Sequence, residues 1–447
     1  GLLCTSQGLA KKPDKPGGDP GITYRIVKFE HPGLPGANDI NDHREVVGAV
    51  LTEAGYVSAA YWEEGELLSN LTELSGGRNA RGINNFGEIV GETEDSFENE
   101  IAVYWPDYSV PAMELPMLPG YHNSYAYSIN DNGLICGMVS KNLFDENGPI
   151  PGSHDITSTR AVVWQVVFTN GTPVIGDPFE LQSDGDNSYS IATALNDYGE
   201  VVGDRTAGSS GAFLWAWPNL TGIPLGVFRP SGINNDGVIC GHAPARHLET
   251  DALVWDGCTV SYLDLGRGRN EVSARAYDIN DSRIIVGQAG PKDGGFWIEP
   301  RACFWDGIDG SLVYLDQFLE DNSPLQSLIK AKAVNARGDI LGGPWIAVPT
   351  NEPPTAPGIS VSPTNGLTTT EGGGTATFDV VLDTQPSADV TIGISSDDTS
   401  EGTVDKSSLA FTPANWDESQ TVTITGVNDS DEDGDVAYTI VTAAATS

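Results

Sequence analysis

Basic residues are scarce in this chain of 447: 23 Lys and Arg stand against 62 Asp and Glu, for a formal net charge of −39 and an isoelectric point near 4.2. Neutralising phosphates takes a Lys/Arg face, and no basic cluster exists beyond Lys11, Lys12 and Lys15. Nucleic acid and anionic membrane surfaces are therefore disfavoured as partners. Cysteine is sparse too: five residues, at 4, 136, 240, 258 and 303, are too few and odd in number for a disulfide framework. Cys136 and Cys240 stand where sister segments carry Val or Leu and read as small buried apolar residues. A bridge between Cys258 and Cys303, both beside Trp-bearing strands, stays open.

Long apolar runs are missing, all falling far short of the ~20 residues of a spanning helix, so no membrane span is expected. The six His are scattered. Only His242 and His247 lie close, at a spacing without zinc-site form, and His242, directly after the strand-ending Gly241, reads as a surface-loop residue. Gly208-Ser209-Ser210-Gly211 is not a Gly-x-Ser-x-Gly nucleophile elbow, and the sialidase-type Ser-x-Asp-x-Gly-x-Thr-Trp box is absent. The expectation is a chain that is not an enzyme, with paired carboxylates for glycoside chemistry as the alternative that 62 acids leave open.

What the chain does have is a 39% hydrophobic content with 10 Trp, enough for a substantial core, and 53 Gly with 28 Pro to punctuate it. Self-similarity organises these residues. Ile40-Asn41-Asp42-His43-Arg44-Glu45-Val46-Val47-Gly48 recurs around Asn84, Asn130, Asn196, Asn234, Asn280 and Asn335. The spacings are 43, 46, 66, 38, 46 and 55 residues, near the ~40–50-residue period of propeller blades.

Each unit reads as four short strands. An alternating segment enters an Asn-Asp-x-Gly turn with Gly at positive φ, Val-Val-Gly returns, an Ala-x-x-Trp strand follows (as at Ala102-Val103-Tyr104-Trp105), and a fourth strand closes the unit. Copy six has Arg283 in place of the turn Gly, and copy seven lacks a clear Ala-x-x-Trp strand. Residues 22–29 look like a fourth strand without its first three, and the last unit, Ala333 to Val348, like first strands without a fourth. The two halves are expected to complete one blade and shut the ring. The fold expected is all-β: a seven-bladed β-propeller followed by a β-sandwich of immunoglobulin-like build.

These units resemble the HAF-type extracellular repeat family over residues 22–348. Membership implies an exported bacterial protein and no catalytic residues to carry over. The seven oxygen-rich turns read as backbone-bonded Asn and Asp rather than calcium loops; Asp184-Gly185-Asp186-Asn187 alone hints at the latter. The repeated Trp reads as packing between blades rather than a sugar platform.

Residues 1–21 read as a signal-peptide remnant or flexible segment, with cleavage near Ala10 and a lipidated Cys4 as the alternative. Residues 349–357 are a Pro-rich linker. Residues 358–447 alternate with period two and resemble a Calx-beta-like domain, through Thr370-Glu371-Gly372-Gly373-Gly374-Thr375 and Leu409-Ala410-Phe411-Thr412-Pro413; this domain is expected to be truncated. The resemblance implies calcium, with Glu371 and Asp429 matching family ligands and Asp397, Asp398, Asp431 and Asp433 as neighbouring acidic candidates. The functional expectation is a secreted or cell-surface adhesion or matrix protein whose non-catalytic propeller meets an extracellular polysaccharide or protein ligand. The alternatives are a self-associating filament subunit and a polysaccharide-acting propeller enzyme.

Overall fold

The structure is a computed structural model. It describes residues 22–28, 36–52, 55–62, 72–73, 76–142, 144–145, 148–149, 156–169, 172–182, 189–205, 211–243, 251–265, 272–293, 296–297, 300–319, 328–350, 359–363, 367–382, 386, 388–412, 415–416, 418–428, 436 and 438–443. The readings of residues 1–21, of His247, of the segment 184–187 and of Asp429, Asp431 and Asp433 lie outside these residues. The chain is all-β with antiparallel sheets, and among the described residues its one helical element is a short 3-10 turn, Leu315–Phe318. Chain contacts divide it into two compact units: Gly1–Asn130, Ile135–Trp164 and Asp177–Glu352 in the first, and Asp131–Leu134, Gln165–Gly176 and Pro353–Ser447 in the second.

Seven sheets follow the seven sequence copies. The first runs Gly36–Ile40, Val46–Leu51, Val57–Trp62, Thr72–Glu73, and the second Asn79–Ile83, Ile89–Glu94, Glu100–Trp105, Met113–Glu114. The third to sixth repeat the order from first strands Asn123–Ile129, Ser190–Leu195, Arg229–Ile233 and Val272–Ile279. The seventh is composite: Ala331–Val334, Ile340–Gly342 and Trp345–Pro349 are completed by Tyr24–Lys28, with Tyr24 opposite Pro349 and Lys28 opposite Trp345. The two ends of the array therefore meet in one sheet. Tyr24 is buried there, edge-on to Phe304 at 5.2 Å and to Phe318 at 5.6 Å.

One local device recurs in all seven sheets. The register between first and second strand slips by one residue after Ala37, Ala80, Ala126, Ala192, Pro230, Ala276 and Ala331. Each slip is a β-bulge that leaves one residue unpaired and re-aims its side chain. The Gly ending Val-Val-Gly lies against this bulge: a Cβ on Gly203 would stand 1.9 Å from the Ile191 carbonyl oxygen, and one on Gly287 2.0 Å from that of Arg275. Gly203→Ala must push two backbones apart and is expected to cost at least ~2 kcal/mol, read as a lowered midpoint in a denaturant titration. The turn position after the Asn takes positive φ whether Gly fills it, as at Gly237 (71°), or Arg does, as at Arg44 (61°) and Arg283 (64°). Both Arg reach back to the preceding sheet, Arg44 Nε to Asp339 at 2.7 Å and Arg283 Nη2 to Asp236 at 2.8 Å, and these bonds offset the αL cost.

The third-strand Trp are core residues except Trp255, which is half-buried. Trp62, Trp105, Trp164, Trp215 and Trp305 are fully buried, as is Trp345 of copy seven at the start of its strand rather than the end. Three of them donate Nε1–H to a carbonyl just beyond the fourth strand of the preceding sheet or its flank: Trp164 to Pro116, Trp215 to Gln182 and Trp305 to Asp264, at 2.7–2.8 Å. Cys136, Cys240 and Cys303 are free, buried thiols. A Cys258–Cys303 bridge is thereby excluded, and Cys136 and Cys240 pack as apolar residues.

In the second unit, Ile359–Ser362, Thr375–Leu382, Gln420–Gly426 and Gly402–Val404 form one sheet, and Ser408–Phe411, Val390–Ser396 and Ile440–Thr442 another. Both send alternate residues into one apolar core, among them Phe378, Val380, Ile392, Phe411 and Val422. The period-two alternation of the sequence is the cause: each strand has one apolar face to bury.

Candidate functional site

At the turn end of the first unit, the seven motif Asn residues form a closed cycle. Nδ2 of each donates to the backbone carbonyl of the next: Asn41 to Asn84, Asn84 to Asn130, Asn130 to Asn196, Asn196 to Asn234, Asn234 to Asn280, Asn280 to Asn335, and Asn335 back to Asn41, at 2.8–3.1 Å. All seven are buried. In Asn41, Asn84, Asn196, Asn234, Asn280 and Asn335 the Oδ1 accepts a backbone N–H of its own turn, as from Val238 to Asn234 at 2.9 Å. The turn Asn thus bond backbone, as the sequence implies, and tie each sheet to the next; Nδ2 of Asn41, Asn84, Asn196 and Asn335 also donates to a carboxylate of its own turn.

Past the turns, first strands carry two half-buried carboxyls. Asp39 accepts the N–H groups of Ile40 and Ile83, and Asp278 those of Ile279 and Val334, at 2.8–3.0 Å. Burial first, and then the neighbouring Asp278, push Asp39 up to about 7; burial raises Asp278 to about 6 against its two N–H bonds. Asp42 adds to the rise of Asp39. Folded, both acids hold protons that the unfolded chain releases above pH ~4, so between pH 4 and 7 the folded state binds more protons and stability falls as pH rises. Surface repulsion in this acidic chain acts in the same direction but is screened by salt. The expected result is a thermal midpoint higher at pH 5 than at pH 8, with the difference persisting in 1 M NaCl; a difference that salt removes would assign it to surface charge.

The seven unpaired bulge residues are Asn38, Arg81, Tyr127, Thr193, Ser231, Tyr277 and Lys332. Asn38, Thr193, Ser231, Tyr277 and Lys332, from five sheets, line a cavity of about 480 Å³ together with Arg229, His242, Lys330 and Asp204. The volume suits a small ligand. Lys332 Nζ donates to the Ala37 carbonyl at 2.5 Å and to Asn38 Oδ1 at 3.1 Å. Lys330 Nζ lies 4.0 Å from the ring centre of Tyr277, and Arg81 stacks over Tyr127 at 5.3 Å. Arg81 is paired with Glu92, and Arg229 with Asp204 at 3.5 Å; Lys330 and Lys332 have no carboxylate partner among the described residues.

The bases of this wall are shifted by burial first and by one another second. Burial, then Lys330 and Arg81, lower Lys332 to about 8; burial and Arg275 lower Lys330; burial, then Arg275, Arg229 and Lys330, lower His242 to about 4. His242 is the end of a second strand, half-buried, with Nδ1 buried and unpartnered. Its expected surface-loop position is therefore corrected: Ile239–His242 runs one residue beyond the motif Gly, which carries the imidazole to the cavity wall.

The calcium candidates fall as follows. Glu371 is exposed in the turn between Thr370 and Gly374. Asp397 Oδ1 accepts the Thr439 N–H at 2.6 Å, and Asp398 Oδ1 that of Ser400 at 3.0 Å. The bonds Gly426 N–H to Gly374, Gly402 N–H to Asp398 and Val427 N–H to Glu401 bring their loops to one end of the second unit. Among the described residues no three His, Cys, Asp or Glu are grouped to hold a metal.

No protein-family model matches the chain, and no curated protein sequence does. Similar solved structures include the β-propeller domain of the Trilobed protease from Pyrococcus furiosus (12% identity, 64% of this chain and 84% of that one, TM-score 0.41). YCF48 from Cyanidioschyzon merolae is another (11%, 72% and 97%, 0.42), and so is Pyrococcus horikoshii acylaminoacyl peptidase (10%, 79% and 58%, 0.45). The class is thus an all-β protein of antiparallel sheets with β-propellers as its structural neighbours. A puromycin hydrolase also stands among these (11%, TM-score 0.44). Peptidases in this set correct the expectation of a chain that is not an enzyme: lacking a nucleophile motif in the repeats is no ground for excluding catalysis. No helix among the described residues is long and apolar enough to cross a membrane.

Proposed function

We propose that this chain is a secreted or cell-surface bacterial ligand-binding protein: a seven-bladed β-propeller of HAF-type repeats that receives an extracellular ligand in its axial cavity, joined to a Calx-beta-like β-sandwich, in an adhesion or matrix role. The observation carrying this reading is the cavity itself, where five sheets alike in their motif residues each present a different bulge side chain. Variation confined to one place on a repeated scaffold is how binding sites are built on rigid folds. For the sandwich, calcium belongs to the same proposal through the meeting of the Glu371, Asp397 and Asp398 loops at one end; these three acids are not grouped to hold an ion by themselves, so further oxygen ligands would have to complete the site.

The test is an array of extracellular polysaccharides and proteins probed with the full chain and with Thr193→Trp, which fills the cavity from a position whose hydroxyl contacts the Val202 and Pro230 carbonyls only. Binding by the native chain and at least tenfold loss in the variant, with an unchanged melting midpoint, is expected. Binding that survives the filled cavity overturns the assignment.

A further inference from the structure

The cavity wall holds cations in a chain that has few. Only 23 of 447 residues are Lys or Arg, yet Arg229, Lys330 and Lys332 line this one space, with Arg81 and Arg275 close enough to depress the basicity of the two Lys. The neighbouring carboxyls are engaged elsewhere: Asp204 with Arg229, Glu92 with Arg81, and Asp39 and Asp278 with backbone N–H groups. Lys330 and Lys332 have no carboxylate partner among the described residues, and like charges held side by side in a partly buried wall cost stability. A ligand anion would relieve that cost. The remaining wall sets the hydroxyl and amide groups of Thr193, Ser231, Tyr277 and Asn38 beside the apolar Ile191 and Pro230, a lining that offers donors and acceptors to hydroxyls and apolar surface to the carbon face of a sugar ring. The Tyr277 ring adds a flat face.

We infer that the cavity takes the acidic unit of an extracellular polysaccharide, a sugar bearing a carboxylate or a sulfate, with Lys330, Lys332 and Arg229 on its oxyanion and the Thr193, Ser231, Tyr277 and Asn38 side chains on its hydroxyls. This rests on the cavity being the ligand site proposed above. The volume of about 480 Å³ admits a unit of one or two sugars. The net charge of −39 disfavours acidic polymers over the acidic surfaces of the chain.

Calorimetric titration of the full chain tests it with four probes: an oligogalacturonate, a sulfated galactose oligomer, the neutral galactose oligomer and inorganic phosphate. At least one acidic oligomer is expected to bind, with the neutral oligomer and phosphate each tenfold weaker or more, and the acidic affinity falling as NaCl is raised from 50 to 500 mM. The uronate and sulfate arms separate the two oxyanions. Lys332→Met should lower the acidic affinity at least tenfold while Lys332→Arg retains it, which a structural role for the hydrogen bond to Ala37 alone would not produce in a variant of unchanged melting midpoint. Equal binding of the neutral oligomer, phosphate binding as tight as the oligomers, no acidic binding, or indifference to Lys332→Met each overturns the acidic-sugar assignment. Neutral binding lost in Thr193→Trp would do so while leaving the cavity as the ligand site; acidic binding untouched by Thr193→Trp would remove the cavity reading itself.

Discussion

Removing the chain through Lys28 is expected to lower the thermal midpoint by on the order of 10 °C and to make the product aggregate on concentration. Tyr24–Lys28 is the outer strand of the composite seventh sheet, held against Trp345–Pro349 by a five-residue register. Without it, Trp345–Pro349 becomes an open edge with unpaired backbone groups, a template for intermolecular pairing. The packing loss adds to this: Tyr24 is 4% exposed, and Ile22 and Ile26 pack with it against a cluster that includes Phe304, Leu315 and Trp345. Truncating one buried aromatic costs ~3–5 kcal/mol, so Tyr24→Ala alone should reproduce a good part of the effect without opening the edge. A synthetic peptide spanning residues 22–29, added to the truncated chain, is expected to recover part of the midpoint by taking the vacant position as an added strand. Light scattering and calorimetry read both results. A truncated chain that melts like the intact one would mean that the array is held shut by the remaining contacts and that the N-terminal strand is ornament.

This closure was legible in the sequence, because a strand needs a partner and each end of the array lacks what the other supplies. So were the turns and the third-strand Trp: they recur, and recurrence reports the groups that every copy needs for the same backbone reason. The cavity was not legible, and the reason is the same one inverted. The bulge residue stands two places before the motif Ile or its equivalent, at Asn38, Arg81, Tyr127, Thr193, Ser231, Tyr277 and Lys332. Six residue types over seven copies of one repeat position look like noise in a search for likeness. A signal was nevertheless there, since two of the 23 basic residues and two Tyr fall at that one repeat position. His242 was misplaced because the motif Gly was read as the strand's end; the strand continues, and pairs His242 with Arg229 and Ala252. Asp39 and Asp278 were missed because a carboxyl that accepts backbone N–H groups from its own and the next sheet has no sequence signature at all.

Asn234→Asp is expected to be among the most damaging changes of a single atom in this chain, costing ~3–5 kcal/mol at pH 7, against ~1–3 kcal/mol for Asn234→Ala. Asn234 is 3% exposed. Its Nδ2 donates to the Asn280 carbonyl at 3.1 Å, its Oδ1 accepts the Val238 N–H at 2.9 Å, and its own carbonyl accepts from Asn196 at 3.0 Å. The Asp variant keeps the acceptor and the shape. What it changes is the far atom: a donor becomes a carboxylate oxygen facing a carbonyl oxygen across the same 3.1 Å, a repulsion in a site with little water to screen it. The variant carboxyl must then stay protonated to fold, so its folded pKa lies above its unfolded one. The penalty is present above pH ~4 and fades as pH falls below that value, where both states carry the proton. Denaturant titrations of wild type, Asn234→Ala and Asn234→Asp at pH 7 and pH 4 are expected to show Asp worse than Ala at pH 7 and close to wild type at pH 4. Because the bond belongs to a cycle of seven, opening it leaves six in place, and a second substitution on the far side, Asn41→Ala, is expected to add to the first nearly independently. A coupling well above 0.5 kcal/mol between two such distant positions would instead make the cycle a cooperative unit, in which each link is strong only while the others hold.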